Sequence, residues 1–281
     1  MELTCDLHVH STFSDGTLTP EQLICEAERC GLSALALCDH NTVAGLPTFL
    51  AAAEGKSVEA VPGIEFSTDY NGVELHILGL FIKPEHYETV TTLLEDFRRR
   101  KDQSNCDLVK ALSAAGYVLD YESIKAATPN GQVNRAHIAA ALFEHGYVES
   151  VKDAFKRLLA PKHGFYKPPE RLNAFDCIRF IKSMGCVAVW AHPFLSMDGE
   201  EEVREFLKEA VPCGLDGMET IYSTYDEAQT KAAASIAEEF GLKQSGGSDF
   251  HGANKPDISM GTGRGGLHIP LSLLQRLKAA L

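Results

Sequence analysis

Short apolar runs alternate along the chain with longer stretches in which apolar residues recur every three or four positions. The runs at 3–9, 33–38 (SALALC), 58–64, 73–81, 186–191, 215–221 and 243–247 predict buried strands. Amphipathic stretches at roughly 45–54, 170–184, 201–210 and 226–240 predict helices between them. Thr19–Pro20 starts an earlier helix, with Gln22 at the capping-box position and Leu23, Ile24 and Ala27 on the apolar side, and Gly31 stops it. A closing helix carries Leu271, Leu274 and Leu277 on one face. Asn71–Gly72 predicts a hairpin turn into the run at 73–81.

This rhythm breaks between 86 and 168, where Tyr87–Ala115, Tyr121–Thr128, Asn134–His145 and Ser150–Leu159 all read as helices split by Pro/Gly-containing turns. The organisation expected is an α/β barrel built from 1–85 and 169–281, with 86–168 as a mainly helical insertion or cap.

The 281 residues suffice for such a core, and 44% hydrophobic with 23% charged residues is ordinary for a globular chain. The formal net charge of −13 argues against a long electrostatic groove for duplex DNA but leaves room for a small phosphorylated ligand held by metal ions. No leader-like or membrane-spanning apolar segment is evident, so a cytoplasmic protein without membrane contact is expected. The eight cysteines include no CxxC pair and read as free thiols in a reducing compartment.

Candidate chemistry begins with DLHVHSTFSDG, which holds Asp6, His8, His10 and Asp15. In an extended strand Asp6, His8 and His10 share one face. Further candidate ligands follow at or just after the other strands: His40, Glu65, His76, His192, Asp249 and His251, with His137 in the helical segment. On a barrel, strand ends converge on one face, where sites are assembled. Mixed imidazole and carboxylate donors suit Zn²⁺, Mn²⁺ or Fe²⁺ better than an all-oxygen Mg²⁺ cage. Leaving Asp6 aside, the ten candidates exceed the needs of one four-coordinate ion, so two or three divalent ions are expected, with Glu65 offering one oxygen to each of two. Asp6 and Asp39, each close to a ligand histidine, are expected to accept hydrogen bonds from imidazole N–H groups and so orient the rings.

Arg135, two residues before His137, is the strongest candidate for a phosphate contact. Lys162, His163 and Lys167 form a smaller basic cluster that either contacts a second phosphate of the substrate or faces solvent, and Tyr222 and Tyr225 could line the cleft or stack on a base. Arg98–Lys101 reads as a solvated helix face. No phosphate-binding P-loop or dinucleotide fingerprint is present.

Taken together, DLHVHSTFSDG, CDHN around Asp39 and His40, GIEFS around Glu65, ELHILG around His76, AHP at Ala191–Pro193 and GSDFH ending at His251 resemble the PHP-domain phosphoesterases, the family named for polymerase and histidinol phosphatase. The likeness runs over nearly the whole chain. NRAHIA, Asn134–Ala139, further resembles the branch containing nucleoside 3′,5′-bisphosphate phosphatases and related 5′-to-3′ exonucleases. The resemblance implies a distorted (β/α)7 barrel. It also implies one metal held by His8, His10, Glu65 and Asp249, a second by Glu65, His76 and His137, and a third by Asp15, His40, His192 and His251. The implied enzyme is a metal-dependent phosphoric monoester hydrolase, with Mn²⁺ expected first and Fe²⁺ or Zn²⁺ as alternatives. A metal-activated hydroxide attacks phosphorus in line, and no protein nucleophile is predicted. The leading expectation is removal of the 3′ phosphate from a nucleoside 3′,5′-bisphosphate. The alternatives are 5′-to-3′ exonuclease action on short RNA or DNA, hydrolysis of histidinol phosphate or another small phosphomonoester, attack on a carbonyl as in amidohydrolases, and a noncatalytic binding module.

Overall fold

The run Cys5–Val9 forms strand β1, and all of its residues are buried, as a strand covered on both faces must be. In this computed structural model, which describes residues 3–128 and 133–281, the chain divides into two compact units. One runs up to Thr91 and resumes at Arg171, and the other spans Thr92–Glu170.

The first unit is a nearly closed barrel of seven strands. Its members are β1, β2 (Ala34–Leu37), β3 (Glu59–Tyr70), β4 (Val73–Leu80), β6 (Val187–Trp190), β7 (Gly217–Tyr222) and β8 (Lys243–Gly247), hydrogen-bonded in that order, while the two-residue β5 (Leu172–Asn173) pairs on β3. The circle is drawn shut by a parallel bridge between Val9 and Phe250, with Asp249 N–H donating to the His8 carbonyl at 2.9 Å.

Its distortion is β4, which runs antiparallel to both β3 and β6 while the other strands of the path pair in parallel. The cause is the turn at Asn71 (φ 53°) and Gly72 (φ 84°), whose two left-handed residues match the twist of a tight hairpin. The hairpin also carries β3 beyond Ile64, where the apolar run ends, to Tyr70. There Ser67 pairs with His76 and Asp69 with Glu74, polar residues on a face of the hairpin that is only partly covered.

Helix α1 (Pro20–Arg29) has the expected capping box between Thr19 and Gln22 and buries Leu23, Ile24 and Ala27. Helix α2 is Leu46–Ala52. Helix α3 (Tyr87–Ala114) leads into the second unit, which continues with α4 (Tyr121–Ala127), α5 (Arg135–Glu144) and α6 (Val151–Ala154), the last running on through a turn of π-helix to Leu159. No strand occurs among the described residues of this unit. It has its own core, including Leu108, Leu112, Ile138, Leu142 and Leu159. The Pro/Gly turn between α4 and α5 lies outside the described residues.

Back in the first unit, α7 (Ala174–Ser183) is capped by Asn173, the short α8 (Pro193–Ser196) follows β6, and α9 (Glu200–Ala210) and α10 (Glu227–Glu239) precede β7 and β8. The final helix α11 (Leu271–Lys278) buries Leu273, Leu274 and Leu277 against Leu7, Val61, Leu78 and Val189, with Leu271 packed at the margin. Each fully buried leucine contributes about 1.5–3 kcal/mol, so this core gives the site a rigid support. Among the described residues, no helix is long and apolar enough to cross a membrane.

Candidate metal centre

Glu65, fully buried on β3, is the hub. Its Oε2 lies 3.3 Å from His8 Nε2, 3.3 Å from His10 Nε2 and 2.9 Å from His40 Nδ1. Its Oε1 lies 2.8 Å from His76 Nδ1 and 3.1 Å from His192 Nε2.

Each ring arrives by a different route. His8 is within β1 and His10 follows its end on the same face, as strand alternation predicts. His40 follows β2 and forms a parallel bridge with Glu65. His76 reaches the same face from within β4 because that strand is reversed. His192 follows β6 in a left-handed conformation (φ 32°) and so enters beside His76, whose carbonyl accepts the Ala191 N–H. This puts His192 with Glu65 and His76, rather than in the grouping with Asp15, His40 and His251 that the family pattern implies.

Asp249 and His251 follow β8. Asp249 Oδ1 faces His10 Nε2 at 3.2 Å and His251 Nδ1 at 3.4 Å, while Tyr222 and Lys255 each donate to Oδ2 at 2.6 Å. Asp15, on the exposed loop after β1, lies 3.2 Å from His251 Nε2 and 3.8 Å from His10 Nδ1. Among the described residues three donor groups result: His10, Asp15, His40 and His251; His8, His10 and Asp249; and His40, Glu65 and His76. Within each group the donor atoms lie within 4.8 Å of one another.

Hydrogen bonding leaves this cluster unsatisfied. His10 Nδ1 and His192 Nδ1 are buried without a hydrogen-bond partner, and His40 Nδ1 and His76 Nδ1, for all their nearness to the Glu65 oxygens, make no well-directed hydrogen bond to them, which leaves Glu65 Oε2 without one as well. An orphaned buried polar atom costs about 1–3 kcal/mol. His8 Nε2 and His10 Nε2 face each other at 3.1 Å, and a neutral imidazole has a single donor to share. Convergent lone pairs from nitrogen and carboxylate oxygen are what a divalent transition cation satisfies, so the residues fit one or more such ions.

The electrostatics point the same way. Burial alone would raise the Glu65 carboxyl, but the imidazoles of His40, His76 and His8 outweigh it and hold it well below the usual range. Burial likewise pulls His76 down, and the Glu65 carboxylate overrides it and lifts the ring to about 10. His10 is pushed down to about 3, chiefly by burial. Asp249 stays well below its usual value despite burial, through its hydrogen bond with His10 and the neighbouring rings.

Asp6 and Asp39 do not brace imidazoles as expected. Asp6 accepts from Ser248 N–H (2.9 Å), Ser248 Oγ (2.5 Å) and Gly261 N–H (2.8 Å), and Asp39 accepts from Ser11 N–H (2.7 Å) and the hydroxyls of Ser11 and Ser14 (2.6 Å each). Backbone N–H groups of the ligand-bearing loops lie nearer than any ring, so these carboxyls hold the loops instead. Tyr222 donates to Asp249, and the Tyr225 hydroxyl accepts from Phe194 N–H at 2.9 Å.

In the second unit, Arg135 places its guanidinium 4.4 Å from the Tyr166 ring centroid and 5.7 Å from that of Phe155. His137 Nδ1 accepts from Asn134 N–H at 3.1 Å in the α5 capping box. Lys162 and Lys167 are exposed. Among the described residues of this unit, no group of donors comparable with those of the barrel forms.

Sequence reasoning passed over Glu219 and Lys255. Glu219 Oε1 is 3.0 Å from His8 Nδ1 and its Oε2 accepts the His192 N–H at 2.8 Å. Its signal was present as an acidic residue inside the apolar strand GMETIY. Lys255 carried no comparable signal.

The family model for the PHP domain matches residues 6–166. The chain is 35% identical over 246 residues to a 5′-3′ exoribonuclease of Haemophilus influenzae, covering 88% of this chain and 89% of that one. A phosphoribosyl 1,2-cyclic phosphate 1,2-diphosphodiesterase of Eggerthella lenta is 32% identical (88% and 94% covered). A 3′,5′-nucleoside bisphosphate phosphatase of Chromobacterium violaceum is 29% identical (88% and 86% covered). Among solved structures, an amidohydrolase from Chromobacterium violaceum with bound sulfate and no metal superposes with a TM-score of 0.77 at 26% identity, covering 99% of this chain and 96% of that one.

Proposed function

Since this chain belongs to the PHP-domain family of metal-dependent phosphoesterases, we propose that it hydrolyses the phosphoester on the 3′ side of a 5′-phosphorylated nucleotide. The smallest such substrate is a nucleoside 3′,5′-bisphosphate, which gives a nucleoside 5′-phosphate and inorganic phosphate. The observation that carries the reading is the Glu65 hub, with its two oxygens turned to different sets of imidazoles and three donor groups around it. That arrangement suits two or three divalent ions, for which we take Mn²⁺ first with Fe²⁺ or Zn²⁺ as alternatives, and it would let Glu65 serve two of them.

Bound ions would activate water and neutralise phosphoryl oxygens. The chain's own part is to hold the donors. Tyr222 and Lys255 hold Asp249 by its outer oxygen, leaving Oδ1 turned to the rings. Asp6 and Asp39 hold the loops that carry Asp249 and Asp15.

A second reading, stepwise 5′-to-3′ removal of nucleotides from short RNA, is favoured by the name of the Haemophilus influenzae relative. The two substrates share the same first nucleotide, so one centre can serve both. Adenosine 3′,5′-bisphosphate and a short 5′-phosphorylated RNA, each incubated with Mn²⁺-loaded protein and resolved by chromatography, test the readings together. AMP and phosphate from the first substrate support the bisphosphate reading, and mononucleotides released in order from the 5′ end of the second support exoribonuclease action. Turnover confined to a ribosyl cyclic phosphate, the substrate type in the name of the Eggerthella lenta relative, would overturn both.

A further inference from the structure

We propose that Glu219 is a positioning residue that sets how two imidazoles enter the metal centre, presenting His8 Nε2 as an unprotonated donor and fixing the backbone turn that aims His192. The proposal rests on the metal-binding reading of the cluster and is independent of which phosphoester is cleaved.

Glu219 lies within β7 and is fully buried. Its two oxygens are divided between two ligands from different strands. Oε1 is 3.0 Å from His8 Nδ1, and Oε2 accepts the backbone N–H of His192 at 2.8 Å. An imidazole that donates Nδ1–H to a carboxylate keeps a lone pair on Nε2. That Nε2 is the atom facing Glu65 Oε2 (3.3 Å), His10 Nε2 (3.1 Å) and Asp249 Oδ1 (3.8 Å). On the other side, His192 holds φ 32° and ψ 55°, a conformation that costs a residue with a Cβ about 1–3 kcal/mol. The hydrogen bond from its N–H to Glu219 helps retain that turn.

Gly247 on the neighbouring β8 makes the contact possible. A Cβ there would stand 2.2 Å from His8 Cβ and 2.9 Å from Glu219 Oε1.

A carboxylate suits this place and an amide does not. Two N–H groups, His8 Nδ1–H and His192 N–H, point at the side chain, and glutamine has one acceptor oxygen. If its NH₂ turns to His8, the ring must accept at Nδ1 and carry its proton on Nε2, the atom that faces the metal donors. If its NH₂ turns to His192, two donors oppose each other.

The test compares wild type with Glu219→Gln and Glu219→Asp, the latter keeping both acceptor oxygens on a shorter stem. Metal affinity is measured by titrating Mn²⁺ and Zn²⁺ into the metal-free protein, and nitrogen-15 NMR of the Zn²⁺-loaded form reports which His8 nitrogen bears the proton. Wild type should show His8 protonated at Nδ1. Glu219→Gln should lose about 10- to 100-fold in metal affinity, the scale expected for removing a ligand-orienting carboxylate, and Glu219→Asp should recover part of it. A folded Glu219→Gln protein with wild-type affinity and wild-type His8 protonation overturns the proposal. So does a wild-type protein whose His8 carries its proton on Nε2, a result that stands even if the glutamine variant fails to fold. A wild type that binds no divalent ion overturns the metal-centre reading itself, and the same titration shows it.

Discussion

Tyr222 donates its hydroxyl to Asp249 Oδ2 at 2.6 Å, while the other oxygen of Asp249 faces His10 and His251. The two residues divide a single carboxylate between the protein and the metal centre. Tyr222→Phe removes one donor and leaves Lys255 as the remaining partner of that oxygen. A hydrogen bond to a charged group is worth about 1.5–3 kcal/mol, so metal affinity should fall by about 10- to 100-fold with the fold intact. Isothermal titration with Mn²⁺ measures it, and unchanged affinity would show that Lys255 alone suffices.

Glu65→Gln should be more severe. It leaves five imidazoles, those of His8, His10, His40, His76 and His192, around a neutral amide. Turnover should fall by more than about 100-fold, beyond the effect of losing an outer orienting group. The metal content of dialysed protein, measured by mass spectrometry, should fall with it, and full occupancy in the variant would remove Glu65 from the hub.

Protons and metal ions compete for the same atoms. In the metal-free protein His76 is raised to about 10, with Glu65 overriding the effect of burial. A folded-state value above the unfolded one of about 6.5 means that this pair stabilises the metal-free fold fully below about pH 6.5, and that the contribution is lost as pH rises through about 10. Metal ligation needs the ring without its proton, so apparent metal affinity should rise across the same window, with proton release on binding. Calorimetry in buffers of different ionisation enthalpy counts those protons, and release of none would contradict the assignment.

Arg135→Ala should destabilise the second unit by about 0.5–2 kcal/mol, the worth of a cation–π contact such as the one its guanidinium makes 4.4 Å from the Tyr166 ring centroid. Thermal denaturation measures it, and an unchanged midpoint would remove that stacking from the unit's stability.

Much of the site was legible because its signals are local. His8 and His10 follow from strand alternation, and Asn71–Gly72 announces the hairpin that turns His76 inward. Glu219 was not legible in the same way, because its partner His8 is 211 positions away and no spacing rule connects them. Asp6 and Asp39 misled for the opposite reason. Their nearness in sequence to His8 and His40 suggested ring contacts, but loop N–H groups and serine hydroxyls from distant parts of the chain met the carboxyls first. The placement of His192 depends on β6 pairing with the reversed β4, which only the assembled sheet shows.

The bridge between Val9 and Phe250 has a consequence for how the chain matures. Residues His8 to His76 can emerge from the ribosome long before Asp249, yet the donor group of His8, His10 and Asp249 exists only once the two ends of the barrel meet. That meeting is a late, high-contact-order event, slow because a long loop must close first. A metal ion bound by both edges would therefore reward only the finished circle, and by mass action its concentration would set how firmly the ends stay joined. Metal supply would then act on this protein as a folding cofactor, and chelation during refolding should leave barrels that have formed their strands but keep an unfastened edge.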